Sequence, residues 1–218
     1  MIVVIGSPVG WLRDEEVVPA GTPARAALAA AAAGSRVQFV GRTGDDPAAD
    51  ALLLGLVRGG VGHVALLRDP ARATTLVPDP SNDDLGPAPP DDEAPAAAVQ
   101  PAPAPPLDAG DVDLGLRYLT DYGVVVLAEP ASPDVVRVVG DAATWSGARL
   151  VMVVGPGDEP PLGLPPDAIV FEAPADDADG DFAALVGRFA AALDDGSDAA
   201  DAFRSSIAEE GWTPAVAD

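Results

Sequence analysis

At 218 residues the chain is long enough for one α/β domain with a sizeable core and short for two. Its 35 acids against 12 bases, all of them arginine, give a formal charge of −23, which leaves no basic stripe for nucleic-acid phosphates or an anionic membrane. With no cysteine, disulfides and thiolate metal sites are excluded; no apolar run approaches the ~20 residues of a membrane span, no basic leader precedes the first apolar run, and a cytoplasmic location is expected.

Ile2-Val3-Val4-Ile5, followed by Gly6-Ser7-Pro8, predicts an opening strand. Residues 9–19 have room for no more than one small hairpin. Ala20-Gly21-Thr22-Pro23 then turns into an alanine-rich helix. Thr22 is placed to accept from the free amides of its first turn, and Pro23 at N1 loses no hydrogen bond. Gly34 supplies a left-handed C-cap, and Arg36 to Val40 follows as a strand. Gly41 to Pro47 reads as a turn in which Asp45 or Asp46 caps a helix from Ala48 to Arg58. Gly59-Gly60-Val61 stops that helix, and Val64 to Leu67 makes another strand. A β-α-β-α-β progression with short connections implies right-handed crossovers and a mostly parallel sheet.

The composition changes between Pro78 and Pro106, where ten of 29 residues are proline, six are acidic and none is basic. Such a segment buries too little to offset its ordering entropy, so a linker over about 78–106 within a single domain 1–218 is the expectation; a proline-rich recognition segment is the other reading. Asp111 to Thr120 then reads as a helix. Tyr122 to Ala128 is a continuous apolar strand of the kind buried on both faces of a parallel sheet. Ser132-Pro133-Asp134 caps a helix from Val135 to Trp145, and Arg149 to Val154 is another buried strand. A loop with five prolines, Gly155 to Pro166, precedes a last strand at Ala168 to Glu172. Helices follow at Phe182 to Leu193 and Asp198 to Glu209.

The order of these small motifs carries a resemblance. The opening strand, the Ala20-Gly21 turn into a small-residue helix, and Gly41-Arg42-Thr43-Gly44-Asp45-Asp46 before a helix that ends in Gly-Val resemble the amino-terminal half of the ribokinase-like (PfkB) carbohydrate kinases. The likeness is good over roughly the first 77 residues, and the β-α-β-loop-β order of residues 122–172 matches the middle of such a chain. It implies a three-layer α/β/α, Rossmann-like fold with roughly six or seven core strands. It also implies a reduced or absent substrate lid, because residues 9–19 are few for the lid strands that often pair two subunits of that family. ATP, Mg²⁺ and a sugar or nucleoside ligand are the implied cofactors and substrate, and a homodimer is the implied assembly.

The resemblance implies site residues, and this chain departs from several of them. Trp11 stands where an aspartate grips sugar hydroxyls, Arg25 where an asparagine is expected, and Ala20-Gly21 where a glycine pair is expected. Trp11, Gly21 and Arg25 are therefore the substrate-site candidates. Trp11 is either a ligand platform or core packing, and Arg25 either an anion holder or a solvated side chain. Phosphoryl transfer needs a base at the accepting hydroxyl and amides on the phosphate. Gly180 and Asp181 match the last two positions of the G-A-G-D motif that supplies them, so Gly180 is the anion-site candidate and Asp181 the candidate base. The competing reading makes Asp179 or Asp181 a plain helix N-cap. At the metal motif N-x-x-E, Glu172 falls on the asparagine and Ala175 on the glutamate, so that motif is broken. Only Asp176 to Gly180 separate Ala175 from Asp181, too few residues for a nucleotide pocket. His63 has no Asp, Ser or Cys beside it and reads as a surface residue. The Asp176, Asp177, Asp179 and Asp181 run lacks the ligand spacing of a calcium loop and reads as a solvated face. A degenerate kinase and a non-catalytic binding or interaction module on the same fold are the two functions carried forward.

Overall fold

The computed structural model describes residues 1–13, 16–78 and 105–208, and the greater part of the proline-rich segment lies outside them. Six strands form one sheet in the order β5-β4-β1-β7-β8-β9. They are β1 (Ile2–Ile5), β4 (Val37–Gly44), β5 (Val61–Asp69), β7 (Val124–Leu127), β8 (Arg149–Val154) and β9 (Ile169–Glu172). Every neighbouring pair is parallel. The sequence dictates which strands sit in the middle. β1 (IVVI) and β7 (VVVL) are apolar at every position and buried at every position, which only a strand covered on both faces allows.

The two-residue alternation then sorts the core into two halves. Ile2, Val4, Phe39, Val126 and Val151 face a layer made of α1 (Gly21–Ala32), α2 (Pro47–Arg58), α5 (Asp181–Asp194) and α6 (Ala199–Ala208). Val3, Ile5, Val40, Leu127 and Met152 face α3 (Ala109–Tyr118) and α4 (Pro133–Ser146). The result is the three-layer α/β/α architecture expected from the sequence. Among the described residues no helix is long and apolar enough to cross a membrane.

A second, three-stranded sheet lies off the carboxyl end of β1. The hairpin of β2 (Val9–Arg13) and β3 (Glu16–Ala20) pairs antiparallel, and β6 (Leu76–Pro78) adds to β2 in parallel. The lid is therefore reduced to one hairpin, as its length requires, but gains a strand from beyond β5. Asp46 holds that strand's approach in place: its carboxylate accepts from the Thr74 amide at 2.7 Å and hydroxyl at 2.8 Å while it caps α2 through the Ala49 amide.

Two local expectations are corrected. Thr22 is not the cap of α1 and Pro23 is not its first residue: the helix starts two residues earlier, at Gly21, with Ala20 as N-cap and no side-chain cap bond. β3 passes directly into the helix because Gly21 takes the turn itself at φ +73. Gly41 to Gly44 is strand rather than turn, since β4 stays paired with β5 as far as Gly44 and Asp69. The glycine there serves close approach: a Cβ on Gly41 would stand 2.2 Å from the Gly6 carbonyl oxygen.

Candidate functional site

β1 is the pivot of the sheet. From it the chain steps outward to β4 and β5, then returns across the fold to β7 on the opposite side and continues to β8 and β9. The crevice at the carboxyl ends of β1 and β7 is thus the topological switch point, where open α/β sheets bind ligands. Two polar side chains meet there. Ser7, just past β1, donates its amide to Glu129 Oε2 at 3.0 Å and its hydroxyl to Glu129 Oε1 at 2.9 Å. Burial pushes the Glu129 carboxyl above its ordinary value, and the Ser7 amide and hydroxyl pull it only part of the way back. Glu129 also lines a cavity of about 180 Å³ between the ends of β7 and β8. A larger groove of about 750 Å³ runs between α3 and α4, and Glu129 is not among its lining residues.

Sequence reasoning missed Glu129. The available signal was its position: a carboxylate two residues beyond a continuous apolar strand of a parallel sheet stands at the ligand-binding edge. Ser7 was legible only as the end of the opening strand, because its partner is 122 positions away.

The residues singled out from the sequence divide into two groups. Trp11, Arg25 and Gly180 meet. The Arg25 guanidinium carbon lies 4.1 Å from the Trp11 ring centroid, and its Nη1 and Nη2 donate to the carbonyls of Asp177 at 3.3 Å and Ala178 at 3.1 Å. Gly180 is buried against the same guanidinium at φ +80. Gly21 stands at the lid-to-helix junction, where a Cβ would touch Val9 at 3.4 Å. Asp181 opens α5 with its side chain exposed. His63 is exposed on β5, the edge strand.

The amino-terminal end of α5 differs from both sequence expectations for its cap. Gly180 is the N-cap residue and makes no side-chain bond. The carboxylate that serves the free amides belongs to Asp177, whose Oδ1 and Oδ2 accept from Phe182 at 2.9 Å and Ala183 at 3.1 Å. The chain loops back here, with the Gly180 amide on the Asp177 carbonyl at 3.1 Å, and that loop brings Asp177 within reach of the helix while Asp179 and Asp181 face solvent. The positive end of the helix is thus already matched by an internal anion. Among the described residues no group of three or more His, Asp or Glu is arranged to hold a metal ion.

No protein-family model matches the chain, and no curated protein matches it. Solved structures do. A ribokinase of Arabidopsis thaliana complexed with ribose and ATP superposes with a TM-score of 0.60 at 13% identity, covering 95% of this chain and 90% of that one. A fructokinase of Halothermothrix orenii gives 0.60 at 16%, covering 98% of each chain. An E. coli protein assigned as ribokinase II, solved with ATP and Mg²⁺, gives 0.59 at 13%, covering 94% of this chain and 89% of that one. The fold is therefore that of the ribokinase-like carbohydrate kinases. At these identities the likeness establishes the fold and leaves the chemistry to the residues.

Proposed function

We propose that this chain is a small-ligand-binding protein on a carbohydrate-kinase fold, with a cleft for a sugar or nucleoside at the switch point and with phosphoryl transfer from Mg-ATP lost. The ligand side of this reading is supported by Ser7 and Glu129 in the crevice between β1 and β7 and by the lid that follows directly from β1. A buried carboxylate accepts well from a sugar hydroxyl, and an aromatic face such as that of Trp11 suits the C–H face of a ring. Trp11, Gly21 and Arg25 are read as residues of the lid side of this cleft.

The single observation that carries the loss of transfer is the link from β9 to α5. Among the described residues β9 is the last strand of the sheet, and only residues 173–180 separate it from the first turn of α5. That length supplies no wall for a base and ribose. Mg-ATP also does not fit the helix end, because the Phe182 and Ala183 amides that would meet a phosphate already hold Asp177.

The second reading is ATP-dependent phosphorylation of the same ligand, with Asp181 as base, Gly180 in the anion site and Mg²⁺ as clamp. It draws on the exposed position of Asp181 at the first turn of α5. Calorimetry with Mg-ATP decides between the two. No heat of binding, together with a rise in melting temperature for at least one member of a sugar and nucleoside panel, is the expected result. Micromolar Mg-ATP binding that disappears in Asp181→Ala would overturn the non-enzymatic reading.

A further inference from the structure

Three pieces of chain that are remote in sequence converge on one guanidinium. Trp11 belongs to β2, the middle strand of the lid. Arg25 belongs to the second turn of α1. Asp177 and Ala178 belong to the loop leading into α5. A planar guanidinium suits this junction, because its face stacks on the indole while its edge carries a fork of donors to two carbonyls. An ammonium would serve as a point charge at one of the two. The grip on the carbonyls of Asp177 and Ala178 also fixes the loop from which the Asp177 carboxylate reaches the amides of Phe182 and Ala183.

We propose that Arg25 is a latch that holds the lid down on the cleft in the ligand-free chain. Its stack on Trp11 fastens β2 to the α1–α5 layer, and its hydrogen bonds fasten the α5 loop to the same point. The lid is held at other points too: Ser7 and Pro8 lead into β2, Gly21 takes β3 into α1, Pro19 of β3 lies against Gly55 of α2, Val17 packs on the core, and Asp46 anchors Thr74 ahead of β6. Opening the cleft then means separating Trp11 from Arg25 as well as lifting β3 from α2, with Gly21 on the hinge side. The latch concerns the closed state of the lid and stands whether or not the ligand is a sugar.

Backbone amide hydrogen exchange on the full chain tests it, in the wild type, Arg25→Ala and Trp11→Ala. Both variants are expected to raise exchange in β2 and β3 about tenfold or more, while β1, β7 and β8 keep wild-type protection. Unchanged lid exchange in Arg25→Ala would overturn the proposal, even if Trp11→Ala loosened the lid, because the indole alone would then be holding it. Equal loss across lid and central sheet would also overturn it, since Arg25 would then stabilise the whole fold and not the closed lid.

Discussion

Gly180→Ala probes the site with a single methyl group. At φ +80 a Cβ costs about 1–2 kcal/mol of backbone strain. It would also stand 1.9 Å from Arg25 Nη1, so the guanidinium has to leave. Its departure gives up two hydrogen bonds of about 1 kcal/mol each and a partly solvated stack on Trp11 of about 0.5–1 kcal/mol. The bond values are already net of water, so the expected loss of stability is about 3.5–5 kcal/mol. In an Arg25→Ala background nothing is left to displace, and the same substitution should cost only the strain. Urea unfolding of the wild type, both single variants and the double variant measures this as a coupling of about 2.5–3 kcal/mol. Additivity within about 0.5 kcal/mol would refute the reasoning, for it would mean that the methyl and the guanidinium do not contend for the same space.

Two pH-dependent effects follow from the half-buried carboxylates. At Asp46 burial works upward, but the Thr74 and Ala49 amides, the Thr74 hydroxyl and the Ala48 amide outweigh it and hold the carboxyl below its ordinary 3.8. A depressed value stabilises the fold above 3.8, and the contribution is lost as pH falls through the lower native value. The urea midpoint of Asp46→Asn should therefore trail the wild type at neutral pH and converge with it on acidification; a pH-independent gap would contradict this. Glu129 runs in the opposite sense. Its native value is raised by burial, so the protonated form suits the fold, and this contribution is present below the ordinary 4.5 and lost as pH rises through the native value. Glu129→Gln should be more stable than the wild type at neutral pH, with the advantage fading towards pH 4 in thermal unfolding. A variant that is less stable at every pH would show that the Ser7 bonds outweigh the burial.

The sequence exposed what is decided locally. The apolar runs at Ile2–Ile5 and within 122–128 marked strands, the cap of α2 was narrowed to Asp45 or Asp46 and that of α4 to the Ser132-Pro133-Asp134 turn, and Gly34 was legible as the stop of α1. What lay hidden depends on residues meeting from afar. The pairing of β2 with β6 joins Gly10 to Leu76 and has no signature in either segment. The Asp177 cap escaped notice because it reaches five residues forward to Phe182 while two nearer aspartates looked better placed. Arg25 was legible as a departure from a pattern, but the carbonyls it holds lie more than 150 positions away.

The third lid strand has a bearing on how the molecule assembles. β6 cannot join β2 until α1, β4, α2 and β5 have brought its residues back over the start of the chain, so among the described residues the β2–β6 pairing is the least local strand pairing after β1–β7. The hairpin of β2 and β3 is short and gains little by itself. The joining of β6 to β2 is therefore expected after the crossovers that carry residues 76–78 back to the hairpin. In a chain cut short before Leu76, the hairpin has no third strand to set beside β2.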